Sequence, residues 1–234
     1  MSVPKIVPVS QLTANNGIKC IVYGGPGTAK TPLAATAPNP LLLSIEPGTR
    51  SLGAMNLAAT SGRTVAELDD FFAWCGPRGS REVFQFQTIA IDSISHMCEV
   101  YLLHNLTHFR DGRKAYGEMG KRVREIISQM INMPRMNVYM IAKLGMKQVS
   151  ETGQNVPLFP GQDLGFFIPH ELDFIWYISR RSDVPGVSGE QLALQCHPTA
   201  NTLARSRMPL DVPQLNMLEP PHLGQIFRKI EGKP

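Results

Sequence analysis

Short runs of apolar residues alternate along this chain with stretches whose apolar positions recur at helical spacing. Ile18 to Tyr23 (IKCIVY) predicts a buried strand, followed by a glycine-rich turn and the helical stretch PLAATA. Leu41 to Ile45 (LLLSI) predicts a second buried strand. Thr64 to Trp74 predicts a helix opening on a capping box, with Thr64 as N-cap and Glu67 three residues on. Phe86 to Ile91 predicts a third strand, ending in Asp92-Ser93. Helices are predicted from Ser95 to about Phe109 and from Gly120 to Met133. Strands are predicted at Asn137 to Ala142, Phe174 to Ser179 and Gln191 to Cys196. This alternation predicts an α/β fold with a mostly parallel, twisted sheet flanked by helices. No repeat or linker divides the chain, so a single domain over residues 1–234 is expected. Arg110 to Met119 and Gly145 to about Pro169 fit no regular element. Loops of such length in a compact domain are usually functional or disordered.

Composition narrows the class. Hydrophobic residues at 43% against 18% charged exclude a disordered chain. No apolar run reaches the ~18 residues a membrane span needs. The start, MSVPKIVPVS, lacks the apolar core of a secretory signal. A cytoplasmic protein with no membrane partner is therefore expected. Cys20, Cys75, Cys98 and Cys196 form no CxxC pair and read as reduced thiols. The net charge of +4 permits a nucleic-acid partner without demanding one.

The strongest chemical signal is GGPGTAKT, placed between a strand and a helix. It fits the phosphate-binding pattern G-x-x-x-x-G-K-[ST] with Ala29 in the second glycine slot. Gly24, Gly25, Pro26, Gly27, Thr28 and Ala29 would turn backbone N–H groups inward as an anion nest. Lys30 would reach the β- and γ-phosphates of ATP, and the Thr31 hydroxyl would ligate Mg²⁺. A helical φ is expected at Ala29. Pro32 has no N–H to offer the α-phosphate, so one contact of the cradle is expected to be missing. Asp92, ending a buried strand, would support the magnesium. Glu46, just after LLLSI, fits a general base for water, and fits equally a solvated loop glutamate.

Taken in order, GGPGTAKT, LLLSIEPG, TIAIDSISHM and NVYMIAK resemble the RecA-type ATPase core. With APNPLLLSIEPG, DGRKAYG, VPLFPG and the late ARSR, the chain resembles the phage group of RecA-like single-strand annealing proteins over about residues 15–230. The resemblance implies a Mg²⁺-dependent, slow ATPase that binds single-stranded DNA and promotes annealing or strand exchange. It also implies a homo-oligomeric ring or filament working beside a phage single-strand-binding protein in the host cytoplasm. Glu46 maps onto the catalytic base, and Asp92 and Ser93 onto the pair that closes the metal strand. The two irregular stretches map onto DNA-holding loops. The first carries six basic residues between Arg110 and Arg124, including Arg110, Arg113, Lys114, Lys121 and Arg122, against two acidic ones. Tyr116 is interleaved for base stacking. The second supplies Lys147 and Phe159. An ordinary solvated helix face accounts for the same charge run.

Lys143 stands where the RecA core carries a γ-phosphate-sensing glutamine, and reads as a phosphate contact or a surface lysine. Arg205 and Arg207 read as fingers reaching a neighbour's nucleotide, or as two exposed arginines. Two other functional classes fit the same residues: a motor or helicase-loader ATPase, and a DNA-binding module that holds nucleotide without hydrolysing it. His104 and His108 have zinc-ligand spacing but lack the intervening glutamate of HExxH, and read as ordinary helix histidines.

Overall fold

The structure is a computed structural model of the chain, in which residues 6–8, 16–47, 52, 53, 55, 57–149, 152–184 and 188–233 are described. The strands are β1 (Lys19–Gly24), β2 (Pro40–Ser44), β3 (Ala58–Ser61), β4 (Thr88–Asp92), β5 (Asn137–Val149), β6 (Thr152–Pro157), β7 (Phe174–Arg181), β8 (Gln191–Gln195), β9 (Arg205–Ser206) and β10 (Leu218–Glu219). The helices are α1 (Lys30–Ala34), α2 (Val65–Cys75), α3 (Ile94–His108), α4 (Gly112–Ile131), α5 (Gln162–Glu171) and α6 (Leu223–Ile230). Strand order is β10-β8-β7-β1-β5-β4-β2-β3. From β7 through β3 every neighbouring pair is parallel, and β8 and β10 add an antiparallel margin.

The central strands β1, β2 and β4 read as nearly unbroken buried runs because the middle of the sheet is covered on both faces, whereas the edge strand β3 is exposed. Successive side chains of a strand point to opposite faces, and the two hydrophobic clusters divide accordingly. Ile21 and Tyr23 of β1, Leu41 and Leu43 of β2 and Ile89 and Ile91 of β4 join one cluster with α2, α3 and α4. Cys20 and Val22, Leu42 and Ala90 join the other, with α1 and α6. α1 is one short turn, and α6 braces it: Leu223 N–H donates to Thr36 Oγ1 at 2.8 Å and Gly224 N–H to Thr36 O at 2.9 Å. The capping box of α2 forms as its sequence predicts, with Thr64 and Glu67 exchanging bonds.

Two expectations are corrected. Residues 112–119 are not a loop. Asp111 caps α4, its Oδ1 accepting from Arg113 N–H at 2.9 Å, and the helix runs through Gly112, Gly117 and Gly120. Ala115, Met119, Val123, Ile126 and Met130 bury one face of that helix, and this packing outweighs the glycine cost of about 1 kcal/mol each. Residues 145–149, 152–157 and 162–169 are not a loop either. β5 extends past the parallel sheet and pairs antiparallel with β6, Leu144 opposite Pro157, and α5 follows.

Candidate functional site

The carboxyl ends of β1, β5, β4 and β2 lie side by side, which is where ligands bind in open α/β sheets. Register places Gly24 opposite Lys143, Ile141 opposite Asp92, and Asp92 opposite Ser44. The chain therefore brings the phosphate loop, Asp92 and Glu46 to one edge from three separate strands.

The loop after β1 is shaped by close approach and by left-handed turns. A Cβ on Gly24 would lie 2.4 Å from Ile178 O, so only glycine fits there. Gly27 has φ +73°. Ala29 has φ 56° and ψ 29°, which corrects the helical φ expected for it. The slot needs a left-handed residue before the helix can start, and alanine adopts it against its Cβ. Lys30 folds back over the loop. Its ammonium donates to Gly24 O at 2.8 Å and Gly25 O at 2.7 Å, with Thr28 Oγ1 at 3.4 Å. Burial lowers its pKa, and the charges of Asp92 and Glu46 oppose that shift. Pro32 sits in the first turn of α1, and the next bonded amide is Leu33 N–H on Ala29 O. The phenol of Tyr139, on β5, donates to Lys30 O at 2.8 Å and pins the helix start to the sheet.

Thr31 Oγ1 donates to Asp92 Oδ2 at 2.5 Å. Asp92 is 8% exposed. Burial raises its pKa, the Thr31 bond and the Lys30 charge pull it down, and Glu46 pushes it up. A hydroxyl and a carboxylate oxygen in contact, both hard donors, fit a magnesium ion rather than a softer metal. Ser93 follows Asp92 through a cis peptide and caps α3. Its hydroxyl donates to Glu46 Oε1 and accepts from His96 N–H at 3.2 Å. Glu46 is thus aimed by a buried side chain at the carboxyl edge of the sheet.

Lys143 is ion-paired. Its ammonium lies 2.9 and 3.0 Å from the two Glu99 carboxylate oxygens, and His96 Nδ1 lies 2.8 Å from Oε2. Burial would raise the Glu99 pKa, but these partners outweigh it and hold the carboxyl below its usual range. The hydroxyl of Ser95 accepts from Lys143 N–H at 3.0 Å and donates to Leu158 O at 2.6 Å. The first turn of α3 therefore touches both Glu46 and the root of the β5–β6 hairpin.

The other expected residues lie apart from this edge. Arg205 donates to the carbonyls of Pro169 and Leu172 and so caps the end of α5. This corrects its reading as a free finger. Arg207 is half exposed and lies 3.4 Å from Asp173. Arg110, Arg113, Lys114, Tyr116 and Lys121 are exposed, with the Lys114 ammonium 4.7 Å from the Phe109 ring centre. Arg122 points instead to α2, donating to Asp69 at 2.6 Å. Lys147 is exposed on the hairpin, over the Phe166 ring at 4.1 Å. Phe159 is packed in the core at 8% exposure, which corrects its reading as a stacking ring. Sequence reading missed Tyr139 and Glu99, whose partners Lys30 and Lys143 lie 109 and 44 residues away; the local trace of Glu99 was His96, three residues before it.

Among the described residues no helix is long and apolar enough to cross a membrane, and no cluster of three or more His, Cys, Asp or Glu could hold a metal. No curated protein matches the chain. Among solved structures, a KaiC-like protein from the hyperthermophilic archaeon Pyrococcus horikoshii OT3 is similar at 12% identity. The match covers 83% of each chain, with a TM-score of 0.43. Residues 16–208 match the family described as an AAA domain. That span holds the phosphate loop, Asp92, Glu46 and every strand from β1 to β9, and the chain belongs to this AAA domain family of P-loop nucleotide-binding ATPases.

Proposed function

We propose that this chain is a RecA-like phage recombination protein that binds ATP with Mg²⁺, hydrolyses it slowly, and binds single-stranded DNA to promote annealing or strand exchange. The observation that carries the reading is the convergence at one sheet edge of the Lys30 loop, the Thr31–Asp92 contact and a Glu46 held by Ser93. A triphosphate offers the Lys30 ammonium a better partner than the two carbonyls it now holds. Thr31 and Asp92 would hold the magnesium, which neutralises charge between the β- and γ-phosphates when bound. Glu46, oriented through the Ser93 hydroxyl, is placed to accept a proton from water. Slow turnover follows from two features. Pro32 withholds an amide from the phosphates, and Lys143 is engaged by Glu99. The exposed cations of α4 and the hairpin support a polyanionic partner, in a homo-oligomer beside a single-strand-binding protein.

Steady-state phosphate release, with and without single-stranded DNA, tests this reading beside a strand-annealing assay. Weak turnover with annealing, both reduced in Lys30→Ala, is the expected result. Strong DNA stimulation with duplex unwinding would make the chain a motor. Intact annealing with no turnover would make it a binding module that holds nucleotide only as a ligand.

A further inference from the structure

The phosphate loop has two flanks, and the chemistry described above occupies one of them. On one side of β1 lie β5, β4 and β2, which bring Asp92 and Glu46; on the other side lies β7. Thr31 and Asp92 would hold a metal between the β- and γ-phosphates. The γ end of a bound triphosphate would therefore point toward β4 and β2. Its α-phosphate and nucleoside would leave the loop on the β7 side.

β7 stands beside the loop as a wall. Its parallel ladder with β1 ends at Tyr23 opposite Tyr177, but the strand runs on to Arg181. Antiparallel pairing of Ser179, Arg180 and Arg181 with Ala193, Leu192 and Gln191 of β8 holds that extension in place. The wall touches the loop: a Cβ on Gly24 would lie 2.4 Å from Ile178 O and 2.8 Å from Ile178 Cγ2. Ile178 packs in the cluster that holds Leu33 and Ala34 of α1. Residues two apart on a strand share a face, about 6.6 Å from one another. Arg180 therefore follows Ile178 on the α1 face, at the end of β7 just past the phosphate loop.

The two arginines that end β7 differ. Arg181 is engaged, its Nε 2.7 Å from Asp183 Oδ1 and its Nη2 2.5 Å from Oδ2. Arg180 is exposed and forms no ion pair among the described residues. Beside this open cation the cradle has a gap, because Pro32 in the first turn of α1 has no N–H for the α-phosphate. A guanidinium suits such a gap, since its planar fork can bond two phosphate oxygens at once.

We infer that Arg180 binds the α-phosphate of the nucleotide and stands in for the amide that Pro32 withholds. This inference rests on the nucleotide reading proposed above and adds a residue to its site. Lys30 and Thr31 serve the β and γ end from below, and Arg180 serves the α end from the β7 wall.

The test is calorimetric titration of the full chain with ADP and Mg²⁺, on wild type, Arg180→Ala, Arg180→Lys, Pro32→Thr and the Pro32→Thr/Arg180→Ala pair. Arg180→Ala is expected to weaken ADP about tenfold, the loss of a charged hydrogen bond, and Arg180→Lys to retain part of the affinity as a point charge. In the Pro32→Thr background, which restores the amide, the loss on Arg180→Ala is expected to shrink. Arg180 is exposed, so the urea midpoint serves as the control for folding and is expected to stay unchanged. An Arg180→Ala chain that binds ADP as the wild type does overturns the inference and leaves the nucleotide reading standing. A loss of the same size with and without Pro32 overturns the α-phosphate as the contact. A wild type that binds no ADP overturns both readings.

Discussion

At position 29 a methyl group sits where the backbone turns left-handed, at φ 56°. For a residue with a Cβ this conformation costs roughly 1–2 kcal/mol. Ala29→Gly removes that cost and adds about 0.4–1 kcal/mol of unfolded-state entropy to be lost on folding. The expected net gain is about 0.5–1 kcal/mol, read as a rise in the midpoint of urea unfolding. A loss of stability would show that the loop is not held in this conformation in solution. The neighbouring residues were readable at this scale. Lys30 and Thr31 follow from a local pattern of strand, glycine turn and helix. The conformation of Ala29 was not readable, because the pattern names a glycine there and a substitution hides which φ the turn imposes.

At the scale of elements, long-range partners decide what local sequence leaves open. The glycines of α4 read as loop, yet its N-terminal half is helical because Ala115 and Met119 are drawn into the core below α3. The β5–β6 hairpin was illegible because a strand leaving its sheet is defined only by the partner that returns to it. Lys19 shows a further link of this kind. It is 4% exposed, and its ammonium donates to Met133 O at 3.0 Å and also to Met136 O, tying β1 to the connection between α4 and β5. Burial pushes its pKa down to about 8, against the attraction of Cys20 and Asp173. The unfolded chain keeps this proton to about pH 10.5, whereas the native state releases it near pH 8. Unfolding therefore takes up a proton between those values, and this residue's contribution to stability rises with pH across the window. The stability of wild type relative to Lys19→Met is expected to rise from pH 8 to 10, at up to about 1.4 kcal/mol per pH unit. A flat difference would mean that Lys19 remains charged and solvated in the native state.

For the whole molecule, one mostly parallel sheet turns distant sequence segments into neighbours at its carboxyl edge. The strand order could not be read from the chain, because it depends on pairings between distant segments, whereas Asp92 at the end of its strand was legible from the local run. Strand β5 links the most distant parts of this arrangement. It lies between the Gly24 and Asp92 strands, carries Lys143 at their edge, and continues outward as the hairpin. The phosphate-loop edge and the hairpin are thus joined by one strand and by the start of α3. Calorimetric titration with ATP in the presence and absence of Mg²⁺, on wild type and Lys30→Ala, tests the central claim most directly. The account expects one saturable, magnesium-dependent site in the wild type, weakened at least about tenfold by loss of the ammonium. A wild type that takes up no nucleotide, or a Lys30→Ala chain that binds as well, would contradict it.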